Sequence, residues 1–99
     1  MRVWAKTLKD HKIRTQVVQE FSPARPLGLY EWTIIIHELC QTLDLERPVI
    51  LNKHIQDLNQ FGHAFFRQSD FMDLISYDLL EIEVFPEQKK ETDFNFFNK

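Results

Sequence analysis

The chain has 99 residues, 43% of them hydrophobic and 27% charged, with nine phenylalanines, two tryptophans and two tyrosines. That is enough apolar bulk for the core of one small domain, and it excludes a chain that is disordered throughout, collagen-like or multidomain. The single cysteine, Cys40, excludes an internal disulfide framework, and the net charge of −3 argues against a dedicated nucleic-acid binder.

Arg2 to Lys9 and Lys12 to Glu20 are runs rich in β-branched and aromatic residues around the polar pair Asp10-His11, which predicts a β-hairpin. With the turn between Lys9 and Lys12, Leu8 faces Ile13, Trp4 faces Val17, and Lys6 lies beside Thr15. Phe21 to Pro26 carries two prolines and reads as a loop. Leu29, Trp32, Ile36, Leu39 and Leu43 then recur at helical spacing, flanked by Ile35 and Cys40. They span an arc of about 140°, the buried stripe of an amphipathic helix. Val49 to Leu51 is a short apolar connector or strand. Asn52 is a candidate cap for a second helix that turns Ile55, Leu58 and Phe61 inward and stops at Gly62. Ser69-Asp70 reads as the start of a third, with Phe71, Leu74 and Ile75 on its inner face. Leu79 to Phe85 predicts a strand, with Leu80, Ile82 and Val84 on one side and Glu81 and Glu83 on the other.

These elements predict an α+β domain over residues 1–86. An N-terminal β-hairpin and a C-terminal antiparallel strand form the sheet, and one long amphipathic helix and two short helices pack on it. Residues 87–99 form a charged tail carrying Phe94, Phe96 and Phe97. The longest apolar run, Ile34 to Ile36, falls far short of the roughly 20 residues a membrane span needs, and the basic start lacks a signal peptide's apolar run. The expected setting is cytoplasmic, with no membrane partner.

The opening MRVWAK…DHKI, the central LDLERPVILNKHIQDLNQF and the run SDFMDLISYDLLEIEVF resemble a group of small bacterial proteins with no assigned function. The resemblance covers roughly residues 1–85. It implies a compact α+β domain in the bacterial cytoplasm and carries no catalytic residue, cofactor or mechanism with it.

Charge is unevenly spread. Residues 1–30 carry +4, residues 31–68 carry −2 and residues 69–99 carry −5. A sheet that sets the hairpin beside the last strand brings the two ends into mutual neutralisation. The basic side (Arg2, Lys6, Lys9, Lys12, Arg14 and Arg25, with Trp4 and His11 for stacking) is the alternative reading of a nucleic-acid accessory protein, disfavoured by the acidic strand expected next to it.

Chemistry-bearing clusters are sparse. His37 and Cys40 lie three apart on the long helix, but a zinc site needs three or four converging ligands, and Cys40 belongs to the buried stripe. Asp70, Asp73, Glu81 and Glu83 are the weak candidates for a metal-assisted hydrolase. Cross-strand pairing of Glu81 and Glu83 with Lys6, Lys9, Lys12 or Arg14 accounts for the latter two more simply. No Gly-x-Ser-x-Gly elbow, phosphate-cradling loop or cofactor motif occurs. Tyr30 and Ile34, four apart and off the core stripe, share a helix side with His37 that a lone domain leaves wet. Together with Phe94, Phe96 and Phe97 they are the expected partner-binding residues. The reading is a small non-catalytic protein-interaction module, covered by another protein, a second copy or its own tail.

Overall fold

In the computed structural model, which describes residues 1–23 and 26–86, the chain forms an α+β domain built on one antiparallel sheet. The strands are β1 (Arg2–Lys9), β2 (Lys12–Glu20), β3 (His63–Phe66) and β4 (Leu79–Val84), in the order β2-β1-β4-β3. Helices α1 (Leu29–Leu43) and α2 (Asn52–Phe61) pack on the same side of it. Phe94, Phe96 and Phe97 lie outside the described residues. No helix among those residues is long and apolar enough to cross a membrane.

The hairpin closes at Lys9 and Lys12, and Asp10 and His11 between them both take positive φ, 54° and 66°. This is the tight turn whose twist matches the strands, and it is strained for residues bearing a Cβ. Asp78 supports it by accepting the Asp10 backbone N–H at 2.9 Å. Leu8 faces Ile13 as expected, but Thr7 faces Thr15, so Arg14 is passed over and a bulge shifts the register by one. Trp4 therefore faces Val18 rather than Val17, and Lys6 faces Gln16 rather than Thr15. The Thr7 hydroxyl stabilises the bulge, accepting the Thr15 N–H at 3.2 Å and meeting the Thr15 hydroxyl at 2.7 Å. A one-residue slip exchanges faces, so Val17 joins the helix-covered side and Val18 the other.

Helix α1 begins at Gly28, whose N–H donates to the Glu31 carboxylate at 3.1 Å. It ends where Asp44 turns left-handed and the Leu45 N–H reaches back to the Cys40 carbonyl at 2.8 Å. Trp32, Ile35, Ile36, Leu39 and Cys40 are buried as the periodicity predicts, whereas Leu29, in the first turn, is half exposed. Against these pack Val3 and Ala5 of β1, Leu80, Ile82 and Val84 of β4, and Ala64 and Phe66 of β3. Asn59 ties the layers: its Oδ1 accepts both the Trp32 indole N–H and the Leu27 N–H, and its amide donates to the Leu27 carbonyl.

Three further expectations are corrected. Asn52 is the first residue of α2 rather than its cap; His54 does the capping, its Nδ1 accepting the Leu51 N–H at 2.9 Å. Phe61 does not face inward but is 66% exposed, its ring 6.5 Å from that of His63 on the edge strand β3. The third helix is replaced by a single 3₁₀ turn, Gln68–Asp70, followed by open chain. The Gln68 side chain donates to the Asp73 carbonyl and accepts the Ile75 N–H, meeting backbone groups that a helix would have used. A fourth strand, His63–Phe66, completes the sheet, while Val49 to Leu51 stays irregular.

Candidate functional site

Alternation along the strands gives the sheet two unlike sides. Val3, Ala5, Leu80, Ile82, Val84, Ala64 and Phe66 point under the helices and are buried. The intervening residues form a second side that, among the described residues, no helix covers. Its rows run across the strands: Val18, Trp4, Glu83 and His63; then Gln16, Lys6, Glu81 and Phe65; then Ile13, Leu8 and Leu79. An antiparallel sheet with one solvated face usually shows polar residues there. This one presents tryptophan, phenylalanine and leucine around a charged centre.

That centre is Lys6, only 8% exposed although it lies on the uncovered side. Its ammonium is 3.5 Å from Glu81 Oε1, 3.2 Å from Glu83 Oε1 and 3.4 Å from the centre of the Trp4 ring. The aliphatic stem thus runs along apolar surface while the charge is met by two carboxylates and a π-face. Trp4 is held in turn: its indole N–H donates to Gln16 at 2.9 Å, and its ring stacks on Phe85 at 5.8 Å and 7°. The Arg2 guanidinium lies 4.8 Å over Phe85, and Arg67 lies 5.9 Å over Phe65. His63 fills the space between Phe61 and Phe65. The surface is therefore ordered by its own contacts.

The four candidate metal ligands are not brought together. Glu81 and Glu83 stand on the uncovered side, held by Lys6. Asp70 stands on the helix-bearing side, accepting the Arg67 N–H at 3.0 Å with its Oδ2 3.8 Å from His54 Nε2. Asp73 is exposed in the loop after the 3₁₀ turn, beside an open depression of about 410 Å³ shared with Asp44, Leu45, Glu46, Arg47 and Met72. Among the described residues, no three His, Cys, Asp or Glu side chains are grouped to hold an ion.

Three further chemistry-bearing side chains, His54, Cys40 and Tyr77, are held in their neutral forms. His54 is buried against Phe66, with ring centres 4.2 Å apart. Because Nδ1 accepts a backbone N–H, its proton sits on Nε2, facing Asp70. Burial lowers its basicity, partly opposed by the Asp70 carboxylate, so the ring is held neutral. Burial also pushes the Cys40 thiol up to about 11, leaving no thiolate for nucleophilic or metal chemistry at neutral pH. Tyr77, pushed up to about 12 by burial and then by the neighbouring Cys40 and Glu46, stays a neutral phenol.

Of the expected partner-binding residues, Tyr30 is 76% and Ile34 48% exposed on the outer side of α1, and His37 is half-buried. Burial, and then the Arg47 charge, lowers the His37 pKa. These residues form a narrow stripe, while the uncovered sheet side is wider and more aromatic. Sequence reasoning placed Trp4 in a strand but did not find this surface, since Phe65 lies in the strand it missed. The signal available was in the last strand, where Leu79 and Phe85 share a side with Glu81 and Glu83. No family model, curated protein or solved structure matches the chain.

Proposed function

We propose that this protein is a small non-catalytic protein-interaction module that binds through the uncovered side of its sheet. One observation carries the reading: Trp4, Leu8, Phe65, Leu79 and Phe85 sit on a side that no helix among the described residues covers, arranged around the fixed Lys6–Glu81–Glu83 cluster. Contiguous aromatic surface of this kind marks sites that another macromolecule covers, and aromatic residues dominate binding energy at such sites. The neutral Cys40 and the occupied His54 supply no nucleophile or base. The basic hairpin supports nucleic acid less well, because Lys6 is spent on two carboxylates at the centre of the surface. The Tyr30–Ile34 stripe is a smaller, second contact.

A photoreactive phenylalanine analogue placed at Phe65 tests this in living cells against the same group at Gln56, an exposed position on α2. The expected result is a discrete protein adduct from position 65 and none from position 56. No adduct at 65, or the same adducts from both, overturns the reading.

A further inference from the structure

Resting on that reading, we propose that the partner of the uncovered sheet side is a second copy of this chain, stacked face to face about a two-fold axis running between β1 and β4. The central strands make this side complementary to itself. β1 supplies the cations Arg2 and Lys6, and β4 supplies Glu81 and Glu83, in the register Trp4–Glu83, Lys6–Glu81 and Leu8–Leu79. A two-fold axis parallel to these strands lays β1 of one copy over β4 of the other. Two rows then meet their own complements, Lys6 facing Glu81 of the partner subunit and Leu8 facing Leu79 of the partner subunit, while in the third Trp4 faces Glu83 of the partner subunit. The outer strands follow the same exchange, with Val18 of β2 over the partner's His63.

Charge balance favours this occupant over a strongly charged one. Arg2, Lys6 and Arg67 on this side are matched by Glu20, Glu81 and Glu83, and the signs are interleaved. Such a surface steers neither a polyanion nor a polycation, and it does not repel its own copy. Size is sufficient for weak association. Four strands of four to nine residues, about 4.8 Å apart, give roughly 450 Å² of flat area. Two such areas remove on the order of 1,000 Å² from water, the lower bound for a specific interface. Stacked sheets would lie about 10 Å apart, with the helices outermost.

The test is sedimentation equilibrium of the full chain at concentrations up to about 1 mM, the weak limit of specific association. The wild type is expected to dimerise. Leu8→Lys and Leu79→Glu each place a charge against a leucine twice per dimer and are expected to weaken dimerisation at least tenfold. A 1:1 mixture of these two chains sets lysine against glutamate at one contact and leucine against leucine at the other. That mixture is expected to recover a dimer that neither chain forms alone, a result that misfolding of either variant cannot produce. A wild type that stays monomeric overturns the proposal, as do a dimer indifferent to both substitutions and a mixture that fails to recover. So does a dimer lost on Ile34→Glu, which puts the contact on α1, or on removing residues 87–99, which makes the tail the covering segment. A monomer that still yields a cellular adduct from position 65 to a different protein sinks the second copy but leaves the interaction module standing.

Discussion

The two sides of the sheet are made from alternate residues of the same strands, yet they hold together by different physics. The helix-covered side is closed by apolar contact and a few polar clamps, of which Asn59 is the clearest. The uncovered side is held by a lysine that two glutamates and the Trp4 ring nearly bury, and by stacked rings, with no helix among the described residues laid over them. A sheet side can thus be ordered without a helix layer over it. One side specifies the fold, and the other is ordered in advance, which under the proposed reading lowers the entropy lost on binding. Substitutions under the helices should therefore change stability most, and those on the opposite side should change association more than folding.

The largest effect is expected at Trp32, which is fully buried at the centre of the covered side. Trp32→Ala should cost about 3–5 kcal/mol in urea unfolding, through lost transfer energy and the cavity left behind. A loss below about 1 kcal/mol would mean that the core is not centred there. Asn59→Ala comes next, at about 2–3 kcal/mol, because it leaves the Trp32 indole N–H and both backbone groups of Leu27 without their partner. Asn59→Leu, of similar size, should not rescue it.

On the uncovered side, Lys6→Met keeps the aliphatic stem but leaves Glu81 and Glu83 facing each other without their cation. The expected cost is about 1–2 kcal/mol, discounted for the 38% exposure of the Glu83 side chain. Glu81→Gln in the same chain should recover part of it, and no recovery would show that Lys6 acts through packing alone. The smallest effect concerns pH. Burial lowers the basicity of His54 and of His37 in the folded chain, so the unfolded chain takes up protons first as acidity rises. The stabilisation is complete above the ordinary histidine value of 6.5 and is lost as the pH falls below it toward the lowered folded values. Urea unfolding at about pH 7.5 and pH 5.5 should show this loss in the wild type. His54→Gln, which can still accept the Leu51 N–H, should show less of it, and an unchanged difference would exclude His54 as a source.

Much of the covered side was legible in the sequence. Trp32, Ile35, Ile36, Leu39 and Cys40 repeat at helical spacing, and Leu80, Ile82 and Val84 alternate cleanly. The uncovered side was harder to read. Its register depends on a bulge at Arg14 that two threonine hydroxyls stabilise, and no hydrophobic pattern announces such a bulge. The strand His63–Phe66 places Phe65 outward and Phe66 inward, so two adjacent identical residues with opposite roles erase the period-two signal. The third helix was expected from a cap at Ser69-Asp70, but the Gln68 side chain takes the backbone groups of Asp73 and Ile75, a long-side-chain competition that propensity does not register. Pairing of Glu81 and Glu83 with Lys6 was one of four cross-strand choices legible in the sequence, and the choice among them waits on the β1–β4 register, which joins opposite ends of the chain.

The most direct test of the division between the two sides is the concentration dependence of the nuclear magnetic resonance spectrum of the full chain. On going from dilute to concentrated solution, the account predicts shifts of the Trp4 indole N–H and of residues around Lys6, Phe65 and Glu83, with the resonances of Trp32 and of the outer side of α1 unmoved. Shifts confined to Tyr30 and Ile34, or no shifts at all, would contradict it.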